Sequence, residues 1–187
     1  SLGHKITELG PSLNSFEVKE DWVKELSGVS LENAELLFEG EKRVKVKGPF
    51  LFTHFGISGP VTFSLSSHLA YEHITEDHPL LISFIPDAEK NYETWDKIII
   101  EKANKESNKE ISNLFSGLIP KRLSEIIIKE AKIDGNKKMA YLSKEERKTL
   151  VHLLTSKLKI TLISRKKGDE FVTAGGVDLS EVSSKSM

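Results

Sequence analysis

The sequence predicts an α+β fold in which a β-barrel-like subdomain carries an inserted helical-bundle subdomain. Three observations lead there. Short runs that alternate or favour β-branched residues fill the first third of the chain and return near its end. Between them, apolar residues fall at helical spacing from Asn91 to Leu158. The chain is 187 residues long and 38% hydrophobic, enough to bury a sizeable core without staples. The expected division is a discontinuous β subdomain, residues 1–90 and 159–187, around a helical subdomain, residues 91–158.

In chain order, the β runs are Phe16 with Val18, Val29 with Leu31, Leu36 to Phe38, and Val44 with Val46, with Glu39-Gly40-Glu41 as a hairpin turn. Val61, Phe63, Leu65 and Leu69 suit a short helix, and Leu80 to Ile85 reads as an apolar strand stopped by Pro86. Four helical ladders follow: Trp95, Ile98, Ile99, Ala103; Ile111, Leu114, Phe115, Leu118; Leu123, Ile126, Ile127, Ala131; and Leu150, Val151, Leu154. Asn91 can cap the first, Pro120 suits the first turn of the third, Gly135 can end it, and Ser143 with Glu146 spells a capping box for the fourth. Strands return at Ile160 to Ser164 and Glu170 to Thr173, joined by a turn at Lys167-Gly168-Asp169.

Composition excludes several classes of chemistry. With 27 Lys+Arg against 28 Asp+Glu, no global field draws the chain to nucleic acid or to an anionic membrane. Zero cysteines exclude disulfides, thiolate metal sites and cysteine nucleophiles, and they fit a reducing cytoplasm. No apolar run approaches the roughly 20 residues that span a bilayer. Six histidines form no Ser-His-Asp spacing, and no paired carboxylates stand out, so no catalytic set is legible.

Several constellations have plain structural readings. His73, Glu76, Asp77 and His78 are ligand-type side chains, but they crowd one polar span where a solvated loop is expected. KRVKVK, residues 42–47, sets Lys45 and Lys47 on one strand face beside Arg43. Such a stripe could grip phosphates, and together with the helical bundle it underlies an alternative reading as a non-enzymatic nucleic-acid-binding module, but it also serves to protect a sheet edge. Arg165, Lys166 and Lys167 read as turn charges, His152 as a partly buried histidine, and the helical ladders as core rather than a ligand groove.

Two stretches ask for more. In LFTHFGISGP, residues 51–60, Thr53, His54, Gly56, Ser58 and Gly59 put polar groups and bare amides between a strand and a helix start, where Ser58 can cap and Pro60 fits the first turn. The first amides of such a helix favour an anionic or electron-rich ligand. In EFVTAGGVDL, residues 170–179, a strand runs into Thr173, Ala174, Gly175, Gly176 and Val177, small residues that let another surface approach the main chain.

FTHFGISGP, with the opening LGHKITELGPSL and the closing EFVTAGGVDLSEV, resembles the BaiN/YhiN-like NAD(P)/FAD-dependent flavoproteins of bacteria. The resemblance implies an insert, part barrel and part helices, that interrupts an FAD-binding Rossmann-like domain of the same polypeptide, and Ser1 in place of methionine agrees with an excised piece. It implies an oxidoreductase role completed by FAD and NAD(P)H. This chain would cover the flavin on its substrate and nicotinamide side, and Thr53, His54, Gly56, Ser58, Gly59 and residues 173–177 would lie near the cofactor. None of the 12 glycines spells the G-x-G-x-x-G phosphate cradle, so FAD is not expected to bind this chain alone. Asn14 and Ser15 are more polar than the PSL before them would lead one to expect.

Overall fold

The computed structural model describes residues 3–85 and 92–182. Pro86 and Asn91, the expected strand stop and helix cap, lie outside them. Eight strands are present among the described residues: β1 (Gly10–Ser12), β2 (Phe16–Val18), β3 (Ser30–Glu39), β4 (Arg43–Phe52), β5 (Gly56–Ser58), β6 (Pro79–Ser83), β7 (Leu158–Arg165) and β8 (Val172–Ala174). Six of them close a barrel in the order β2-β5-β4-β3-β6-β7, with β7 returning to β2, so that no barrel strand keeps an open edge. Alternation aims Phe16, Leu36, Phe38, Phe52, Ile82 and Leu162 into the interior, where all are buried. The fold is α+β with a barrel subdomain, as the sequence predicts.

The β3–β4 hairpin turns where Glu39-Gly40-Glu41 suggests. The runs expected as two strands at 29–31 and 36–38 are one strand whose register shifts between Leu31 and Ala34. An unexpected short helix, α1 (Asp21–Glu25), buries Trp22 and Val23 beside the barrel. Helix α2 (Pro60–His68) packs Val61 and Leu65 inward, and Val61 rests on the bare backbone of Gly48, with 3.5 Å between Val61 Cβ and the site a Gly48 side chain would take.

The segment after β7 departs from expectation. Strand β8 does not fold back on β7, because β7 already has β2 on one edge and β6 on the other. It pairs instead with β1, Gly10 opposite Ala174 and Ser12 opposite Val172, in a two-stranded ribbon outside the barrel.

The helical unit contains α3 (Tyr92–Lys105), α4 (Lys121–Glu130) and α5 (Lys144–His152). The second ladder is not a helix. Ile111–Asn113 makes one 3-10 turn, and further turns follow from Asn113 to Ser116 and from Phe115 to Leu118. Gly117 at φ 79° and Pro120 leave no room for a continuous helix, yet Ile111, Leu114 and Phe115 still reach the core. Helix α4 ends before Gly135: Lys132 takes the left-handed position at φ 58°, with Ile133 N–H donating to Ile128 O (3.2 Å) and Lys132 N–H to Lys129 O (2.9 Å). This is the two-bond pattern of a Schellman terminus, usually built on glycine. The capping box of α5 is formed as read, Glu146 N–H to Ser143 Oγ (3.1 Å) and Ser143 N–H to Glu146 Oε2 (2.7 Å). One turn of π-helix at Leu153–Lys157 leads back into β7. Ile99, Phe115, Leu123 and Leu150 belong to the same buried cluster as the barrel interior, and Arg122 Nη1 donates to Ser27 O (3.1 Å).

Candidate functional site

The 53–59 stretch is a tight turn and a short strand rather than a loop leading directly into a capped helix. Thr53 N–H donates to Gly56 O (2.8 Å), and Gly56 N–H returns to Thr53 Oγ1 (3.0 Å), closing the turn that carries His54 and Phe55. Strand β5 then pairs with both β2 and β4. His54 is exposed at the tip with its ring 5.0 Å from that of Phe55, and Lys166 Nζ stands 5.1 Å over the Phe55 ring.

Ser58 does not cap α2. As a β5 residue its hydroxyl points to Ser15, Oγ to Oγ 2.8 Å, while its carbonyl accepts from Thr62 Oγ1 (2.9 Å). The cap position falls to Gly59, whose φ of 95° disfavours any other residue, and Pro60 takes the first helical position. The polarity of 14–15 has a partial account here: Ser15 finds Ser58, whereas Asn14, fully buried, has an amide without a hydrogen-bond partner.

The two glycines have local reasons. A Cβ at Gly56 would stand 2.2 Å from Phe16 O, and one at Gly59 would stand 3.2 Å from Leu51 N and Pro49 O. Both leave space for the barrel's own backbone. Gly175 behaves likewise, with Glu8 O at 2.0 Å, whereas a side chain at Gly176 would stand in open space.

Residues 173–177 belong to the ribbon. Beyond β1 and β8 it is prolonged by a bridge from Ile6 to Val177, by Thr7 N–H to Gly176 O (2.8 Å), and by Gly176 N–H to Thr7 Oγ1 (3.1 Å). Asp178 fastens its end, accepting from Ser180 N–H (3.0 Å) and Oγ (2.8 Å) with Lys5 Nζ at 3.3 Å. The Ser180 amide, then its hydroxyl and Lys5, hold the Asp178 carboxyl below its ordinary pKa. His4 Nδ1 and Lys5 N–H both meet Glu181 Oε2, at 3.1 and 3.0 Å.

The two stretches are linked through α2. The ribbon lies against it: Phe171 meets Phe63 ring to ring (5.2 Å), Tyr71 Oη donates to Glu8 O (3.1 Å), and Gly10 leaves room for Ala70 O. Arg165, expected as a turn charge, is instead half-buried. It donates to Leu69 O and, at 3.2 Å, to Glu72 O, so it satisfies carbonyls at the end of α2 where the helix dipole favours a cation. Burial pushes its pKa down from the usual arginine value. Lys166 does not project freely either: the Ser164 hydroxyl (2.9 Å) and then the Lys166 ammonium (3.1 Å) donate to Glu17 and lower its pKa.

The ribbon leaves several aliphatic side chains in solvent. Leu179 is 84% exposed, Leu9 59% and Ile6 55%, with Val177 and Val182 also in solvent. A run of aliphatic side chains held in place on paired backbone is the kind of surface that other protein covers.

The other sequence candidates resolve locally. Lys45 and Lys47 flank Glu35, at 2.7 and 3.2 Å, and Glu35 is only 7% exposed, so the basic stripe is engaged with a buried carboxylate. Glu76 pairs with Lys19, and His78 lies edge-on to Phe38; among the described residues no group of three or more His, Asp or Glu could hold a metal ion. His152 rests against Tyr92, rings 4.8 Å apart. No helix among the described residues is long and apolar enough to cross a membrane.

Gly56, Gly59 and Gly175 form no phosphate-binding turn for FAD, since this chain's own atoms fill the space beside each of them, whereas His54, Thr173 and Val177 are exposed.

Residues 10–167 match the family model described as the HI0933-like protein barrel and H2TH domain. The chain belongs to this family, which is linked to FAD-dependent oxidoreductases. The match takes in the whole barrel and helices α1 to α5. It leaves residues 3–9 and 168–182, most of the ribbon, outside.

Proposed function

We propose that this HI0933-like barrel and H2TH domain is the insert of a bacterial FAD-dependent NAD(P)H oxidoreductase, seated on the FAD-binding Rossmann-like domain of the same polypeptide. One observation carries the reading: residues 3–12 and 172–182 leave the barrel side by side, hydrogen-bonded to each other, with Ile6, Leu9, Val177 and Leu179 exposed. Two strands leaving together suit a pair of connections to one neighbour, and their exposed aliphatic side chains suit its surface. Seated there, the Thr53 to Gly56 turn and residues 173–177 approach the flavin's substrate and nicotinamide side. The hydride chemistry is the flavin's; this chain supplies enclosure and a small number of polar contacts, with His54 the side chain free to turn toward substrate.

The test is a flavin fluorescence titration. This chain alone should show no saturable binding of FAD in the micromolar range, and the same chain joined to its FAD-binding domain should hold the flavin and change its emission. Val177→Glu with Leu179→Glu should abolish that change and leave the thermal midpoint of the isolated chain where it was, since both side chains are already in water. Saturable micromolar binding by the isolated chain would sink the proposal, as would a double variant that keeps wild-type emission in the joined protein.

A further inference from the structure

We infer that the helical unit carries a phosphate-binding site at the start of α4, separate from the flavin-facing side. The chain from Ser112 to Ile119 curls around the first turn of α4 and leaves a cavity of about 160 Å3. Its polar groups come from Ser112, Asn113, Ser116, Lys121 and Ser124, and Gly117, at φ 79°, keeps the rim free of a side chain.

Two independent features aim at that cavity. The first is an uncapped helix start. Pro120 is the cap residue of α4 and has no side chain that can accept a hydrogen bond, so the amides of Lys121, Arg122 and Leu123 begin the helix without a side-chain cap. They lie at the positive end of a ten-residue helix. The second is Ser124, a residue of the cavity wall that is 2% exposed and whose hydroxyl has no hydrogen-bond partner. Side chains on a helix tilt toward its N-terminus, which sends this hydroxyl to the same place as the first-turn amides. A buried hydroxyl left unbonded is costly, and a ligand oxygen would satisfy it.

The surrounding charge selects an anion. Lys121 lines the cavity, and Lys102 Nζ donates to Ser116 O (2.5 Å) on its wall. No carboxylate is among the residues that line the cavity; Glu110 and Glu125 lie behind the lining, Glu110 accepting from Ser112 Oγ (3.3 Å) and Glu125 standing 3.8 Å from Lys121 Nζ. Arg122 is directed to Ser27 O on the barrel. Uncapped amides, one buried hydroxyl and a flexible ammonium together match a tetrahedral oxyanion with several acceptors, a phosphate group of a nucleotide or of a nucleic-acid strand.

The experiment follows backbone amides by NMR while inorganic phosphate is added to the chain. Saturable shifts are expected at Gly117 and at Lys121 to Ser124. Ser124→Ala, which removes an unbonded hydroxyl and so leaves folding intact, should weaken phosphate binding about ten-fold. Lys121→Gln should weaken it as well and flatten its dependence on ionic strength. Adenosine monophosphate and a short oligothymidylate then separate the sources: tighter binding of either one, again lost in Ser124→Ala, supports the site and names where its phosphate comes from. Shifts that do not saturate, that saturate on another face, or that Ser124→Ala leaves unchanged overturn it.

Discussion

Gly56 and His54 show how differently two residues of one turn bear on function. Gly56 is bare because Phe16 O lies 2.2 Å from where a Cβ would be, so Gly56→Ala should destabilise the isolated chain by about 1–3 kcal/mol, read in urea unfolding. Any effect of that variant on a flavin would be indirect. His54 is exposed at the tip of the turn, so His54→Ala should leave the chain's stability within about 0.5 kcal/mol of wild type. In the flavin-containing protein the same variant should change kcat/KM for the nicotinamide or substrate; equal loss of stability in both variants would remove His54 from the site. The glycine pattern was legible in the sequence, but its cause was not, because the atoms that require it come from β2, forty residues away in the chain. Ser58 failed as a cap for a related reason: its strand pairing and its bond to Ser15 decide where the hydroxyl points.

Among the elements, those set by local chemistry were the most legible. The Ser143 and Glu146 capping box is read from four residues and is formed, so Ser143→Ala should cost about 1 kcal/mol. The Lys137 ammonium, at 2.8 Å, and then the Ser143 amide hold the Glu146 carboxyl below its ordinary pKa. A carboxyl whose pKa is lower folded than unfolded adds stability above its unfolded value and loses it as pH falls through its folded value. The stability gap between wild type and Glu146→Gln should therefore be full at neutral pH and shrink on acidification below the ordinary carboxylate range; a gap that stays constant through that range would contradict the pairing. Elements set by competition were less legible. The ladder from Ile111 to Leu118 has helical spacing but folds as turns, since Gly117 interrupts it and burial of its apolar residues needs no regular helix. Gly135 does not end α4 because Lys132, an unusual residue for a left-handed position, ends the helix first. The short α1 was missed since five residues give too little periodicity to see.

For the whole molecule, the α+β division and the barrel-like subdomain are legible in the sequence, and the strand pairs that close the barrel are not. Helical periodicity is contained within each segment, whereas closure pairs Phe16 with Arg165, and the ribbon pairs Gly10 with Ala174, contacts that no local pattern announces. The consequence for function is topological: β7 has both edges filled, the chain after it runs along β1, and the two outer segments leave the barrel as a pair that carries exposed aliphatic side chains. Docking of that pair on a flavin-binding domain is best tested by hydrogen exchange, comparing this chain alone with the chain joined to its FAD-binding domain. New protection is expected at residues 4–12, 53–57 and 172–182, with the β3–β4 hairpin turn unchanged. Protection that appears on the hairpin or on the helical unit while the ribbon exchanges as fast as before would contradict the proposed seating.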